Sequence, residues 1–361
     1  MSISQNKDSL FLKLAFHQAE INLGSTSLNP SVGCIIVRNN SVISSGRTSF
    51  NGRPHAEANA IKSKGDIKGS TIYITLEPCS HYGKTPPCVK NIINKKLYKV
   101  IFSINDIDKR SKNLAYKKLK KAKIKVKRFT YKDYAKNFYK SYFLQSSIKA
   151  PFIDAKLAVS NDYMTINKKK RWITNFNSRK VGNYLRSKYD CILSTSKTIN
   201  YDNPLLDCRI EGLEQKSPAI IIIDRKFKIK KKLQIFKSKS RVIFIFTQTS
   251  NISKEEYFKK IGVKIVKLEK NNDLKNDISK VFFLLKQFGF NRILIESGVK
   301  YINEVLKNNL IRNFYLFKSS FNLKNNGKNN TKPNLIRKLK TTIKNKVRIN
   351  LNGDSLFKIR L

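Results

Sequence analysis

Apolar residues recur along the chain with two periods, and the alternation between them outlines a helix–strand order. From Asp8 to Asn22 the apolar positions Leu10, Phe11, Leu14, Ala15 and Ala19 follow one helical face. Asn29-Pro30-Ser31 breaks that run, and Val32 to Val37 reads as a short buried strand. Asn39-Asn40 turns the chain into a second strand, Val42 to Ser45. After a loop from Gly46 to Gly52, His55 to Lys64 reads as a helix, Thr71 to Leu76 as a strand and Pro87 to Lys95 as a helix. Tyr98 to Ser103 is strand-like, Asn113 to Ala122 helical and Ile124 to Phe129 strand-like. An aromatic-studded helix from Thr130 to Ser147 closes this half. The order predicts a three-layer α/β domain.

Lys149-Ala150-Pro151 marks a boundary, so the pattern divides the chain into domains at 1–148 and 149–361. In the second half Phe152 to Val159, Asp190 to Ser194, Ala219 to Asp224, Arg241 to Phe246 and Val263 to Lys267 read as strands. Ser178 to Lys188 reads as a helix. Asn291 to Gly298 is a strand running into a glycine turn, followed by a helix from about Lys300 to Lys307. A turn that opens a helix offers free N–H groups to phosphate. Asn322 to Lys346, rich in Lys and Asn, reads as a mobile insertion. Val347 to Leu361 reads as a strand pair turned at Asn352-Gly353.

Candidate chemistry gathers in the first half, in His55-Ala56-Glu57 and in the segment from Glu77-Pro78-Cys79 to Cys88. One imidazole and two thiols make three ligands suited to zinc, leaving the fourth tetrahedral position to water, as a catalytic site requires. Glu57 can sit beside the metal without binding it and carry protons. His-x-Glu followed by Pro-Cys is the pattern of zinc nucleobase deaminases, in which activated water attacks a ring carbon bearing an exocyclic amine. The pattern puts this metal at one edge of the sheet.

Composition changes the picture less than its size suggests. The formal charge is +50, yet the lysines are spread over the whole chain and travel with Asn, as in Lys324 to Asn330. Such lysines read as solvated charge rather than a specific nucleic-acid surface. The five cysteines, Cys34, Cys79, Cys88, Cys191 and Cys208, are few and odd in number, which fits a reducing cytosol. No run of eighteen apolar residues predicts a membrane span, and no apolar signal core follows Met1.

The stretch Asn29-Pro30-Ser31-Val32-Gly33-Cys34, then Pro54-His55-Ala56-Glu57, then the Cys79 segment, resembles the deaminase half of the bifunctional riboflavin-biosynthesis deaminase/reductase family. The spacer discriminates. Most cytidine and tRNA-adenosine deaminases carry Cys-x-x-Cys, whereas here the eight residues from Ser80 to Pro87 separate the two thiols. The resemblance implies a cytidine-deaminase-like domain in which Asn29 contacts substrate, His55, Cys79 and Cys88 hold one Zn2+ per chain, and Glu57 shuttles protons.

Lys156 to Asp162, Trp172-Ile173-Thr174, Asp202 to Leu206 and Ile295-Glu296-Ser297-Gly298 resemble, in that order, motifs of the family's reductase half. That resemblance implies a dihydrofolate-reductase-like α/β domain using NADPH, held by Ala158, Trp172, Thr198, Asp202 and Gly298. Lys170, Arg186, Leu206, Arg209 and Glu296 would hold the substrate, with the arginines on its phosphate, because a guanidinium offers a fixed fork of donors. The implied enzyme deaminates a diaminopyrimidinone ribosyl phosphate and then reduces its ribosyl group to ribityl. Its partners would be that small molecule and copies of itself, in the cytoplasm, with no membrane and no specific nucleic acid.

The chain departs from the family pattern at Thr48, where a histidine is usual, and at Asp106-Ile107-Asp108-Lys109, in place of Asp-Pro-Asn-Pro. Tyr163 replaces a glycine, Lys170 a small hydroxyl residue, and Ser194 to Lys197 lacks a glycine. Two rivals follow. A nucleic-acid deaminase is favoured by the charge and disfavoured by the spacer. A deaminase with a decayed reductase half kept as a scaffold is favoured by the departures after residue 160.

Overall fold

The computed structural model describes residues 3–62, 65–144, 151–238, 241–270, 273–328 and 346–361. The chain forms two units, Met1–Ile148 and Lys149–Leu361. The first runs α1 (Ile3–Ile21), β1 (Gly33–Arg38), β2 (Ser41–Arg47), α2 (Ala56–Ile61), β3 (Thr71–Ile74), α3 (Cys88–Asn94) and β4 (Lys99–Phe102). It continues through α4 (Leu114–Lys121), β5 (Lys125–Arg128), α5 (Lys132–Phe138) and α6 (Lys140–Phe143).

The sheet order is β2-β1-β3-β4-β5. Strand β1 is antiparallel to both neighbours, and β3, β4 and β5 run parallel. Because side chains alternate along a strand, β1 serves two cores. Cys34 and Ile36 pack with Ala56, Ala60, Val89 and Ile92, whereas Ile35 and Val37 pack with Phe11, Leu12 and Ala15. Both faces of β1, β3 and β4 are covered, so these inner strands are largely apolar rather than alternating. The fit against α1 is close enough to need glycine: a Cβ on Gly33 would lie 1.8 Å from the Ala15 carbonyl oxygen.

Two expectations are corrected here. The metal-ligand segment follows β3, the middle strand, so the cluster lies beyond the end of the sheet's centre and not at an edge; the edges are β2 and β5. The predicted helix from Thr130 to Ser147 is broken into α5 and α6, with Tyr139 outside helical geometry at φ −84° and ψ 7°. Tyr139 is fully buried at the break. Its hydroxyl lies 2.5 Å from Thr75 Oγ1 and donates to the Ser31 carbonyl at 3.2 Å. Residues 145–147 of that prediction lie outside the described residues.

The second unit holds β6 (Phe152–Val159), β7 (Ile166–Asn167), α7 (Phe176–Arg186), β8 (Cys191–Thr195), α8 (Ser196–Asp202), β9 (Ala219–Ile223), β10 (Ile243–Thr247) and α9 (Ile252–Lys260). There follow β11 (Lys264–Lys267), α10 (Leu274–Gln287), β12 (Arg292–Ile295), α11 (Val299–Lys307), β13 (Ile311–Lys318), β14 (Gly327–Lys328) and β15 (Ser355–Arg360). The large sheet is ordered β11-β10-β9-β8-β12-β6-β13-β15. Its strands are parallel except β15, which is antiparallel to β13. One face carries Leu193, Ile221, Phe246 and Ile295 against Val281, Phe282 and Ile302 of α10 and α11. The other carries Ile192, Ile220, Ile222 and Ile245 with Ile199 and Phe258.

The strand pair expected over Val347 to Leu361 is reduced to one strand. The turn forms, with φ 49° at Asn352 and 89° at Gly353, but β15 takes β13 as its partner and Lys346 makes only a single bridge to Phe357. The Lys/Asn-rich segment is also partly structured: Lys324–Asn326 forms a turn and β14 pairs with β7. Residues 329–345 lie outside the described residues.

Two candidate active sites

The first site assembles at two helix starts. His55 occupies the N-cap of α2 in extended geometry, and Cys88 is the first residue of α3 behind Pro87. His55 Nδ1 lies 3.5 Å from Cys79 Sγ and 3.5 Å from Cys88 Sγ. The Cys88 N–H donates to Cys79 Sγ at 3.3 Å. All three donor atoms lie within 4.8 Å of one another, close enough to share one ion at zinc distances of about 2.0–2.3 Å. Soft donors in this number fit zinc with an open position.

Electrostatics single out Glu57. Its residue is 3% exposed, and burial first, then the Cys79 charge, pushes its carboxyl up to about 7. A carboxyl poised there can take and return a proton at neutral pH. The Cys88 hydrogen bond brings Cys79 down to about 4, while Cys88 itself is pushed up, mainly by the same contact. Metal binding requires both thiols as thiolates, so it would displace the Cys88 proton.

The loops around this cluster are pinned by backbone contacts. Thr26 Oγ1 donates to the Asn29 carbonyl at 2.7 Å. Gly52, at φ 85°, lies so close to Asn29 that a Cβ would fall 2.2 Å from Asn29 Nδ2. Asn29 is thereby set beside the segment that leads into His55. Arg53 Nη1 donates to Thr85 Oγ1 at 2.8 Å, tying the two ligand-bearing loops together. Thr48 is buried and accepts the Val32 N–H at 2.9 Å, so this departure from the family pattern is absorbed by the fold. His81 Nδ1 sits 2.9 Å from Ser111 Oγ, and Lys118 Nζ donates to the Ser80 carbonyl at 2.6 Å. These contacts tie the first residues of the long spacer to the segment from Ser111 to Lys118.

The second site gathers beyond the ends of β6, β8 and β12, where open parallel sheets bind ligands. Thr195 caps α8, Thr198 Oγ1 accepts the Gly298 N–H at 2.9 Å, and Gly298 caps α11. Trp172 is 49% exposed and flanked by the guanidinium carbons of Arg171 and Arg179, each 4.9 Å from its ring. Arg171 also donates to the Asp202 carbonyl at 2.9 Å. Of the five expected NADPH residues, the contacts therefore join Thr198 to Gly298 and Trp172 to Asp202, through Arg171. An exposed indole ring with two guanidiniums near it suits a cofactor carrying rings and phosphates. Ala158 lies in β6, paired with Phe317.

Arg186, Glu296 and Lys156 form a buried ion cluster. Arg186 Nε and Nη2 donate to the two Glu296 oxygens at 2.7 and 3.0 Å, and Lys156 Nζ lies 3.6 Å from Oε2. Burial alone would raise Glu296, but Arg186 and Lys156 outweigh it and bring the carboxyl down to about 2. Arg186 Nη1 donates to the Asp207 carbonyl at 3.1 Å, and Arg209 Nε lies 3.1 Å from the Asp207 carboxylate. Arg186, Leu206, Arg209 and Glu296 are thus brought together. Lys170 is not among them: it is exposed, and its backbone N–H donates to Asn167 Oδ1 at 3.1 Å. Lys156 went unassigned in the sequence, although a lysine inside an apolar strand was its signal. Tyr163 adopts a left-handed backbone, at φ 63°, with its ring beneath Lys318 Nζ at 4.8 Å.

Geometry and donor chemistry define the class: a zinc-dependent deaminase unit and a nucleotide-binding reductase unit in one chain. Residues 5–104 match the family model for the cytidine and deoxycytidylate deaminase zinc-binding region, and residues 151–348 match the RibD C-terminal domain. The chain is 33% identical over 327 residues to the riboflavin biosynthesis protein RibD of Buchnera aphidicola, covering 86% of each. It is 30% identical over 313 residues to RibD of Aquifex aeolicus, again covering 86% of each. The structure of Acinetobacter baumannii RibD superposes with a TM-score of 0.81 at 23% identity, covering 99% of both chains. The chain belongs to the RibD family of riboflavin biosynthesis proteins. It is a deaminase and reductase of that route, with Zn2+ and NADPH as cofactors, and neither rival reading is favoured. Among the described residues no helix is long and apolar enough to cross a membrane.

Proposed function

We propose that the first unit deaminates a diaminopyrimidinone ribosyl phosphate and the second reduces the ribosyl group of the product to ribityl. This is the pair of reactions in the description of the Thermotoga maritima structure as a diaminohydroxyphosphoribosylaminopyrimidine deaminase and 5-amino-6-(5-phosphoribosylamino)uracil reductase. The observation that carries the reading is the convergence of His55, Cys79 and Cys88 with the buried carboxyl of Glu57.

His55, Cys79 and Cys88 would hold zinc, which would supply a water made acidic enough to lose a proton near neutral pH. Glu57 takes one proton from the attacking water and passes it to the ring nitrogen. It then takes the proton of the new C–OH and delivers it to the amine, so that the C–N bond breaks, ammonia leaves and a carbonyl remains. Asn29, held over Gly52, orients the pyrimidine. In the second unit NADPH would supply the hydride. Ala158, Trp172, Thr198, Asp202 and Gly298 hold the cofactor, while Arg186 and Arg209 receive the substrate's phosphate and Glu296 keeps Arg186 in place. Lys170 lies apart from the ion cluster and reaches substrate only from the loop that follows β7. On the resemblance alone the enzyme is a cytoplasmic homo-oligomer, which light scattering of the purified chain tests.

Zinc-loaded protein, the diaminopyrimidinone ribosyl phosphate and NADPH provide the decisive assay. Ammonia release together with NADPH oxidation is expected. Ammonia without NADPH oxidation removes the reductase assignment, and neither signal in zinc-verified protein removes both.

A further inference from the structure

Arg241, just ahead of β10, belongs to none of the motifs that suggested the second site. Its Nη1 donates to the Leu206 carbonyl at 2.8 Å, and its Nη2 to the Leu205 carbonyl. One guanidinium therefore caps two successive peptide oxygens. Between them Leu206 is 5% exposed and adopts φ 52°, a left-handed conformation that a branched apolar residue takes only under constraint. The next residue, Asp207, gives its carbonyl to Arg186 and its carboxylate to Arg209. Cys208 closes the segment, its N–H donating to Ser217 Oγ at 3.0 Å.

The left-handed Leu206 thus sits between the guanidinium bonded to its carbonyl and the residue in contact with both other arginines. Arg241 is itself in an uneasy place. Burial brings its pKa down to about 10, and its Nε is buried with no partner among the described residues. A buried donor left unpaired is destabilising, so stability alone does not account for an arginine here.

We propose that Arg241 is a positioning residue of the reductase site. By capping the Leu205 and Leu206 carbonyls it forces the turn that sets Asp207, and through Asp207 sets Arg186 and Arg209 at the spacing that receives the substrate's phosphate ester. The proposal rests on the reductase reading above.

The test uses full-length, zinc-loaded Arg241→Lys and Arg241→Met, assayed for ammonia release and for NADPH oxidation with the deaminated pyrimidine ribosyl phosphate. Loss of a charged hydrogen-bonding group predicts that Arg241→Met raises KM for the pyrimidine about tenfold or more, with a smaller rise in Arg241→Lys. KM for NADPH and the rate of ammonia release should stay at wild-type values. Either folded variant with a wild-type KM for the pyrimidine overturns the proposal, as does a parallel rise in KM for NADPH. Wild-type protein that releases ammonia but does not oxidise NADPH overturns the reductase reading, and this proposal with it.

Discussion

Glu57 and Glu296 are both buried carboxyls, and their surroundings send them in opposite directions. Burial first and then the Cys79 charge push Glu57 up to about 7; Glu296, also buried, faces two cations and is drawn down to about 2. Glu57→Gln keeps the shape and the zinc ligands but cannot carry a proton. Deamination should fall about 10²–10⁴-fold while metal analysis still finds one zinc per chain. Near-normal turnover in that variant would remove Glu57 from the mechanism. Glu296→Gln leaves Arg186 and Lys156 buried without a counter-charge, which should destabilise the second unit by about 3–5 kcal/mol. The sign with pH follows from the depressed pKa. The carboxylate's contribution is complete above the unfolded value of 4.5 and is lost as pH falls towards about 2. Denaturant unfolding of the two proteins should therefore differ most near pH 7 and converge below pH 4.5. A gap that stays constant with pH would contradict the ion cluster.

At the scale of elements, local signals were read well where one residue type dominates a segment and badly where a side chain answers to a distant partner. The strands β1, β4, β8, β9 and β12 were plain because apolar runs covered on both faces leave little else for the segment to be. Helix α10 and strand β13 went unassigned, although Ile278, Val281, Phe282 and Leu285 carry a helical face. The break between α5 and α6 could not be read from Thr130 to Ser147, because its centre, Tyr139, bonds to Thr75 and Ser31 more than sixty residues away. Tyr139→Phe tests that tie. Thr75 Oγ1 would keep the Gly33 N–H, but the Ser31 carbonyl would lose a buried donor. A loss of about 1–3 kcal/mol is expected on denaturant unfolding. An unchanged midpoint would show that water replaces the hydroxyl without penalty.

For the whole molecule, 74 basic residues stand against 24 acidic ones, so most cations have no carboxylate to meet. Many rest on rings instead: Arg128 lies 4.0 Å from the Tyr116 ring, Lys188 4.5 Å from Tyr184 and Lys125 4.6 Å from Tyr98. These contacts leave the charge in place, and like charges at the surface repel. Raising salt from about 0.01 M to about 0.1 M shortens the Debye length from about 30 Å to about 10 Å, so Tm should rise over that range at pH 7. A Tm that is flat or falls would mean that attractive pairs outweigh the repulsion.

What the sequence alone supplied is the candidate chemistry. His55, Glu57, Cys79 and Cys88 are legible because zinc and proton transfer accept few residue types, and because short-range order along the chain already puts each ligand at a helix start or loop. The domain order and most strands were legible for a similar reason, since period and boundary residues are local. Only the tertiary structure decided that the zinc cluster lies past the central strand, that Lys156 joins Arg186 and Glu296, and that Arg241 clamps the Leu205–Leu206 turn. Those facts depend on strand order and on contacts between segments far apart in sequence, where no local pattern carries the pairing.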